Sequence, residues 1–166
     1  MIALLRLDLA RIDAARGDPS QVDGIPVVDG GLPPAFIVDQ ARAALLEGKP
    51  ELWFTPQLFA AADPQRIVGS GIFKGAPDAG WVEIGYGVAE SCRSCGHATD
   101  AVFALVRLAF DQPGIRAVYA ETAVANVASR RVVEKVGFTW AGRRDSDDDG
   151  EVDCWFVEAP TVSGTL

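Results

Sequence analysis

The chain contains one histidine, His97, and three cysteines, Cys92, Cys95 and Cys154. That scarcity limits the chemistry open to it. Three thiols cannot build the cross-linked framework of small secreted domains. Cys92 and Cys95 do form a C-x-x-C, a spacing used by redox pairs and by half of a zinc site. No second C-x-x-C follows, and a closed four-ligand site would have to draw on both His97 and Cys154. The expectation is no metal site.

Positive charge is also in short supply. Lysine and arginine total 15 against 23 acidic residues, for a net charge of −8. Nucleic acid is a poor partner for such a chain, because phosphate contacts need a basic patch. An amine-bearing, cationic substrate suits the balance, and so does a plain role in solubility. Long apolar runs are missing, so no transmembrane helix is expected and no membrane partner. Met1-Ile-Ala-Leu-Leu5 is followed by Arg6 and Asp8, without the basic start and full apolar stretch of a signal peptide. Nearly half the residues are apolar, which argues against disorder. One cytoplasmic domain spanning 1–166 is the expectation.

The most informative stretch is 81–99. Val82, Ile84, Tyr86 and Val88 alternate with Glu83, Gly85 and Gly87, the period-two pattern of a strand. From Ala98 the period changes. Ala98, Ala101, Val102, Leu105, Leu108 and Ala109 fall at three- and four-residue steps on one helical stripe. Between them lies Arg93-Ser-Cys-Gly-His-Ala98. A turn there aims N–H groups out of a helix N-terminus, a natural anion nest. An ordinary strand–helix loop has the same spacing.

Around this stretch the elements fall in order. Residues 2–8 predict a strand, 9–16 a short helix, and 18–33 a loop rich in Asp, Gly and Pro. A helix is predicted over 35–46, stopped by Gly48 and Pro50. Leu52–Thr55 reads as a strand, Asp63-Pro64 as a turn, and Ile67–Phe73 as a strand whose Gly69 and Gly71 ease a bulge or close packing. Residues 116–122 predict a strand. Asn126 is placed to cap a helix over 127–136, with Gly137 just past its end. Strands beginning at 138 and at 152 close the chain. Asp145-Ser-Asp-Asp-Asp-Gly150 has the opening spacing of a calcium loop, but its twelfth place is Phe156 where a glutamate is needed. It reads as a solvated hairpin turn. The whole predicts a mixed sheet with helices packed on it.

Taken together, these pieces resemble the GNAT acetyltransferases, which use acetyl-CoA. The family's phosphate loop, R/Q-x-x-G-x-G/A, is matched by Arg93-Ser-Cys-Gly96-His-Ala98. Its later N-x-x-S/A, leading to G-F, is matched by Asn126-Val-Ala-Ser129 and Gly137-Phe138. Glu83-Ile-Gly-Tyr86 and Trp155 look like the branch that includes the ribosomal-protein N-terminal acetyltransferases (RimJ/RimL-like). The resemblance is clear over 67–158. It implies an α/β fold with a central, mostly antiparallel mixed sheet of six to seven strands and helices on both faces. It also implies an N-acetyltransferase that moves acetyl from acetyl-CoA, as co-substrate, to a primary amine. A homodimer is common in that family.

The resemblance assigns roles residue by residue. Backbone groups around Val88 would meet the pantetheine arm and the thioester carbonyl. The amides of Arg93, Ser94, Cys95, Gly96, His97, Ala98 and Thr99 would hold the pyrophosphate, and Asn126 would meet the CoA arm. Glu83 is the candidate base for the acceptor amine. Many relatives carry a tyrosine four residues after the N-x-x-S serine, as acid to the CoA thiolate. Here that place is Val133, and Ser129 is the nearest substitute, one turn away. The missing tyrosine also suits an acyl-CoA-binding module without turnover. Arg130, Arg131 and Lys135 are cations that CoA phosphates could meet, but exposed helix cations are usually surface charges, and they are read so here.

Overall fold

The structure, a computed structural model, describes residues 1–147 and 150–160. It opens with strand β1 (Ile2–Arg6) and helix α1 (Leu9–Gly17). Asp8 caps the helix, its carboxylate accepting from the Arg11 N–H at 3.0 Å, which satisfies one of the orphan donors of the first turn. A small hairpin follows, β2 (Gln21–Val22) and β3 (Ile25–Pro26), where composition predicts only loop. Its turn is Asp23-Gly24, with φ of 52° and 77°. Those are the paired positive angles that a two-residue hairpin loop requires, and Asp-Gly is the sequence signal for them.

Helix α2 (Ala35–Leu46) occupies its predicted span. The strand expected at Leu52–Thr55 is instead helix α3 (Glu51–Phe54). Pro50 enters with φ −59°, Glu51 supports the first turn, and the Thr55 N–H and hydroxyl both donate to the Glu51 carbonyl, at 3.0 and 2.7 Å. The apolar run Leu52-Trp-Phe54 is therefore one helical turn, with Trp53 set edge-on to Phe73 at 4.9 Å. The strand begins two residues later as β4 (Gln57–Ala62). Its first five residues are all buried, because both faces of the sheet are covered there. Such a strand shows no alternation for a sequence reader to find.

The remaining elements are β5 (Gln65–Phe73), β6 (Trp81–Val88), α4 (His97–Phe110), β7 (Ala117–Ala123), α5 (Val127–Val136), β8 (Thr139–Ser146) and β9 (Gly150–Glu158). Strand flanks hold the acidic stretch 145–150, as expected; its Asp148 and Asp149 lie outside the described residues. Among the described residues seven strands form one sheet in the order β1-β4-β5-β6-β7-β9-β8. All neighbours are antiparallel except β6 and β7, which run parallel.

Two apolar clusters lie on opposite sides of this sheet. Ala101, Val102 and Leu105 of α4 and Val133 of α5 pack on Phe59, Val82, Ile84, Val118 and Ala120. On the other side Ile12 of α1 and Ala41 of α2 pack on Leu58, Ala60 and Ile67. The alternation of Leu58, Phe59 and Ala60 between the two clusters follows from the strand's two-residue period. The result is the mixed, mostly antiparallel sheet with helices on both faces. No helix among the described residues is long and apolar enough to cross a membrane.

Candidate active site

Strands β6 and β7 pair from Trp81↔Ala117 to Ile84↔Ala120, and there the ladder stops. Both strands continue, but apart. Gly85–Val88 stay paired with β5, while Glu121–Ala123 stay paired with β9. The sheet splays into a wedge, and the edge of β6 that faced β7 loses its partner. Gly69 keeps the outer half of β6 tight against β5. A Cβ at Gly69 would stand 2.3 Å from the Gly87 carbonyl oxygen and 2.9 Å from Val88 Cα, so only glycine permits this approach.

Beyond Val88 the chain makes a 3-10 turn, Glu90–Cys92, and a tight reversal into α4. The Arg93 N–H closes the 3-10 turn on the Glu90 carbonyl at 3.2 Å. The free donors of the loop therefore begin at Ser94 rather than at Arg93. Ser94 and Gly96 adopt φ of 62° and 80°. For serine that left-handed conformation costs about 1–2 kcal/mol. No side chain caps α4. The N–H groups of residues 94–99 have no acceptor among the described residues. They form a concave run of donors at the positive end of a 14-residue helix, an arrangement that favours negative charge.

Wedge and donor run open onto one cleft of about 980 Å³. Its walls are Tyr86–Val88 of β6, Arg93, Ser94 and Gly96 of the turn, and His97–Thr99 of α4. Across from them stand Ala123 and Ala125, and Asn126, Ala128, Ser129, Arg131, Val132 and Lys135 at and within α5. The cleft is open space, as a long nucleotide-bearing arm requires. It gathers Val88, Arg93, Ser94, Gly96, His97, Ala98, Thr99, Asn126 and Ser129. Cys95 contributes only its place in the turn; it is exposed, whereas Cys92 is buried. No group of three or more His, Cys, Asp or Glu side chains among the described residues is placed to share an ion.

Asn126 caps α5 as expected, its Oδ1 accepting from the Ser129 N–H at 3.0 Å. This fixes the first turn, and with it Ser129. The Ser129 hydroxyl lies 2.8 Å from the Tyr86 hydroxyl, which also donates to the Ser129 carbonyl at 3.2 Å. Burial raises the Tyr86 pKa above its ordinary value, and the Ser129 hydrogen bond opposes part of that rise. The phenol is therefore a neutral O–H donor near pH 7. Sequence reasoning missed Tyr86 as a site residue, although its alternation with Glu83 and Gly85 already set it on the strand face of Val82 and Ile84. Val133 is fully buried and belongs to the core, not the cleft. Arg131 and Lys135 line the cleft, so two of the three helix cations read as surface charge face it. Arg130 lies on the other flank of α5, 2.9 Å from Glu134 and over the Trp155 ring.

Glu83 is not in the cleft. It alternates onto the opposite face of β6, where its Oε1 lies 2.6 Å from Lys74 Nζ. Beside it, Glu121 accepts from the Tyr119 hydroxyl at 2.6 Å and from Arg144 at 2.8 Å. Burial pushes the Glu121 pKa up, but Tyr119 and Arg144 together outweigh it, and the carboxyl is held below its ordinary value. One side of the splayed sheet thus carries free amides and the Tyr86 and Ser129 hydroxyls, and the other carries two carboxylates, each held by a cation.

Residues 8–139 match the family model described as an Acetyltransferase (GNAT) domain. The chain belongs to the GNAT acetyltransferases. Among solved structures, this GNAT chain is similar to aminoglycoside acetyltransferase AAC(6')-Ib in complex with coenzyme A and kanamycin, at 18% identity over 95% of each chain, with a TM-score of 0.65. In another structure of AAC(6')-Ib, with ribostamycin and coenzyme A, the match covers 63% of each chain at 23% identity, with a TM-score of 0.54. A spermidine N-acetyltransferase SpeG chimera from Vibrio cholerae and hSSAT matches over 95% of each chain at 12% identity, with a TM-score of 0.68. At these identities the likeness is one of fold. No curated protein matches the sequence.

Proposed function

We propose that the chain transfers acetyl from acetyl-CoA to a primary amine. The observation that carries this reading is the splay of β6 from β7 directly in front of six unpartnered amides. The wedge offers a free strand edge to the amide-bearing pantetheine arm, and the amides of Ser94–Thr99 meet the pyrophosphate. Arg93, Arg131 and Lys135 add positive charge for the phosphates in a chain that is otherwise acidic. Acetyl-CoA supplies the activated acetyl group; the protein's share is positioning, proton transfer and charge stabilisation.

Glu83 receives the proton that an alkylammonium must lose before it can attack, because free amines are mostly protonated near pH 7. Backbone N–H groups near Val88 stabilise the negative charge that develops on the carbonyl oxygen. Ser129 donates to the departing sulfur, with the Tyr86 hydroxyl behind it to return a proton. The acceptor is a cationic amine. The Glu83 carboxylate, which already holds the Lys74 ammonium, supports this, and so do the fold neighbours that act on spermidine or bind kanamycin and ribostamycin. The run Glu83-Ile-Gly-Tyr86 supports kinship with the ribosomal-protein N-terminal acetyltransferases, for which the acceptor is a protein N-terminus.

A second reading, acyl-CoA binding without turnover, is favoured by one fact: position 133 is a buried valine. The two readings part in one experiment. Saturating acetyl-CoA raises the thermal unfolding midpoint under both. Thiol release with a panel of alkyl amines, aminoglycosides and peptides then occurs only with an acetyltransferase. A midpoint unmoved by acetyl-CoA rejects both.

A further inference from the structure

The chain has only three lysines, Lys49, Lys74 and Lys135. One of them, Lys74, holds its ammonium against Glu83, the carboxylate proposed as base. Lys74 follows β5 directly, and its N–H donates to the Glu83 carbonyl at 2.8 Å, so the two residues are cross-strand neighbours on the face away from the cleft. Its side chain lies along β6. A Cβ at Gly85 would stand 3.4 Å from Lys74 Cε, an ordinary contact distance, so the alkyl chain lies over Gly85. Nζ ends 2.6 Å from Glu83 Oε1. The neighbouring carboxylate, Glu121, is engaged by Tyr119 and Arg144, which leaves Glu83 as the carboxylate for an incoming ammonium. The Lys74 side chain is 41% exposed, and its flexible stem is free to swing. Gly85 is the first residue of β6 past its last pair with β7, so the tail lies where the wedge opens, three residues or roughly 10 Å of strand short of Val88.

An unbranched primary ammonium on the candidate base is the arrangement that an acceptor must reach. We infer that Lys74 is an internal acceptor: with acetyl-CoA bound and no amine substrate present, the protein acetylates its own Lys74. The inference rests on the acetyltransferase reading. In the step, the Lys74 ammonium gives a proton to the Glu83 carboxylate. The freed lone pair forms a C–N bond to the acetyl carbonyl carbon, and the C–S bond of the thioester breaks. Of the two protons the nitrogen loses, one passes through Glu83 to solvent and the other ends on the CoA sulfur. The product is a neutral amide. It cannot pair with Glu83, so the modification ends the ion pair and leaves the acetylated tail beside the acceptor subsite. An alkyl amine in excess competes with Lys74 for Glu83 and slows the reaction. The acceptor class that follows is a primary amine on a flexible, unbranched alkyl chain.

Lys49 supplies an internal control, because it too pairs with a carboxylate, Glu47 at 3.0 Å, but far along the chain from this wedge. The test incubates the full chain with acetyl-CoA alone and follows acetylation of each lysine by peptide mass spectrometry. Thermal stabilisation by acetyl-CoA is measured in parallel. The expected result is acetylation of Lys74 at least tenfold faster than of Lys49, at a rate independent of protein concentration. Glu83→Gln, checked by its acetyl-CoA stabilisation to be folded, should bring Lys74 down to the Lys49 rate. Equal rates at the two lysines, or a Lys74 rate that rises with protein concentration, overturn the inference. If acetyl-CoA still stabilises the protein and amines are still acetylated, only the internal acceptor fails. If acetyl-CoA has no effect on stability, the functional reading fails with it.

Discussion

Ser129 Oγ and the Tyr86 hydroxyl stand 2.8 Å apart across the gap between α5 and β6, and either can donate to the other. At this scale the account is most exposed to mutation. Ser129→Ala should lower kcat about a hundredfold, the lower end of what a positioned proton donor contributes. Tyr86→Phe, which keeps the ring, should lower it about tenfold, with the KM for acetyl-CoA nearly unchanged. The double variant should be no slower than Ser129→Ala alone, because the two hydroxyls work as one unit. Additive losses in steady-state kinetics would show instead two independent roles. Val133→Tyr would not restore the family's usual acid, since position 133 is fully buried and a ring there overpacks the core at about 1–3 kcal/mol. What was legible at residue level was local. Asn126 as a cap and Gly96 at the helix entrance follow from their neighbours in sequence. The Tyr86–Ser129 contact joins residues 43 apart, and no local pattern announces it. The same holds for the cleft-facing Arg131 and Lys135, which look identical in sequence to solvated helix cations.

Elements divide by how well their environment shows in their period. Strand β6 and helices α2 and α5 occupy their predicted spans because each has one buried and one open face, or clear caps. Strand β4 hides because both its faces are buried, and α3 hides because one turn of helix is too short to show a period. The β8–β9 hairpin carries a prediction of its own. Asp153 is buried, held by Arg143 at 2.9 Å and by the Trp140 indole N–H at 3.2 Å. The Arg143 hydrogen bond, against the opposing pull of burial, keeps its carboxyl below the ordinary range, and Glu121 is likewise held low. A lowered carboxyl pKa means that the unfolded chain binds more protons than the native one as pH falls. Both contributions are complete above the ordinary carboxylate range, about pH 4 to 4.5. They are lost as pH drops through the lower native values. The thermal midpoint should therefore hold from pH 7 to about pH 5 and fall below about pH 4. Asp153→Asn should flatten that fall in melts recorded across the range. An Asp153→Asn profile that tracks the unaltered chain at every pH would remove the hairpin from the acid response.

For the whole molecule, the decisive feature is a sheet that opens at one point, between its two parallel strands. Helices α4 and α5 on one face of the opening, and Glu83 and Glu121 on the other, give it two different chemistries. The amides of Ser94–Thr99 lie free on the first side, and on the second each carboxylate is paired with a cation. The family motifs announced both the loop and the helix that follow the opening. The opening itself is a property of strand pairing, since Gly85–Val88 stay with β5 while Glu121–Ala123 stay with β9, and pairing is not written in either strand alone. Backbone amide NMR of the isotope-labelled chain, titrated with acetyl-CoA, tests this directly. The amide resonances of Ser94 to Thr99 should move together and saturate at one equivalent, with those of Gly87 and Val88 following the same curve. Resonances of 94–99 that stay fixed while acetyl-CoA saturates another part of the protein, or none of it, would contradict the account.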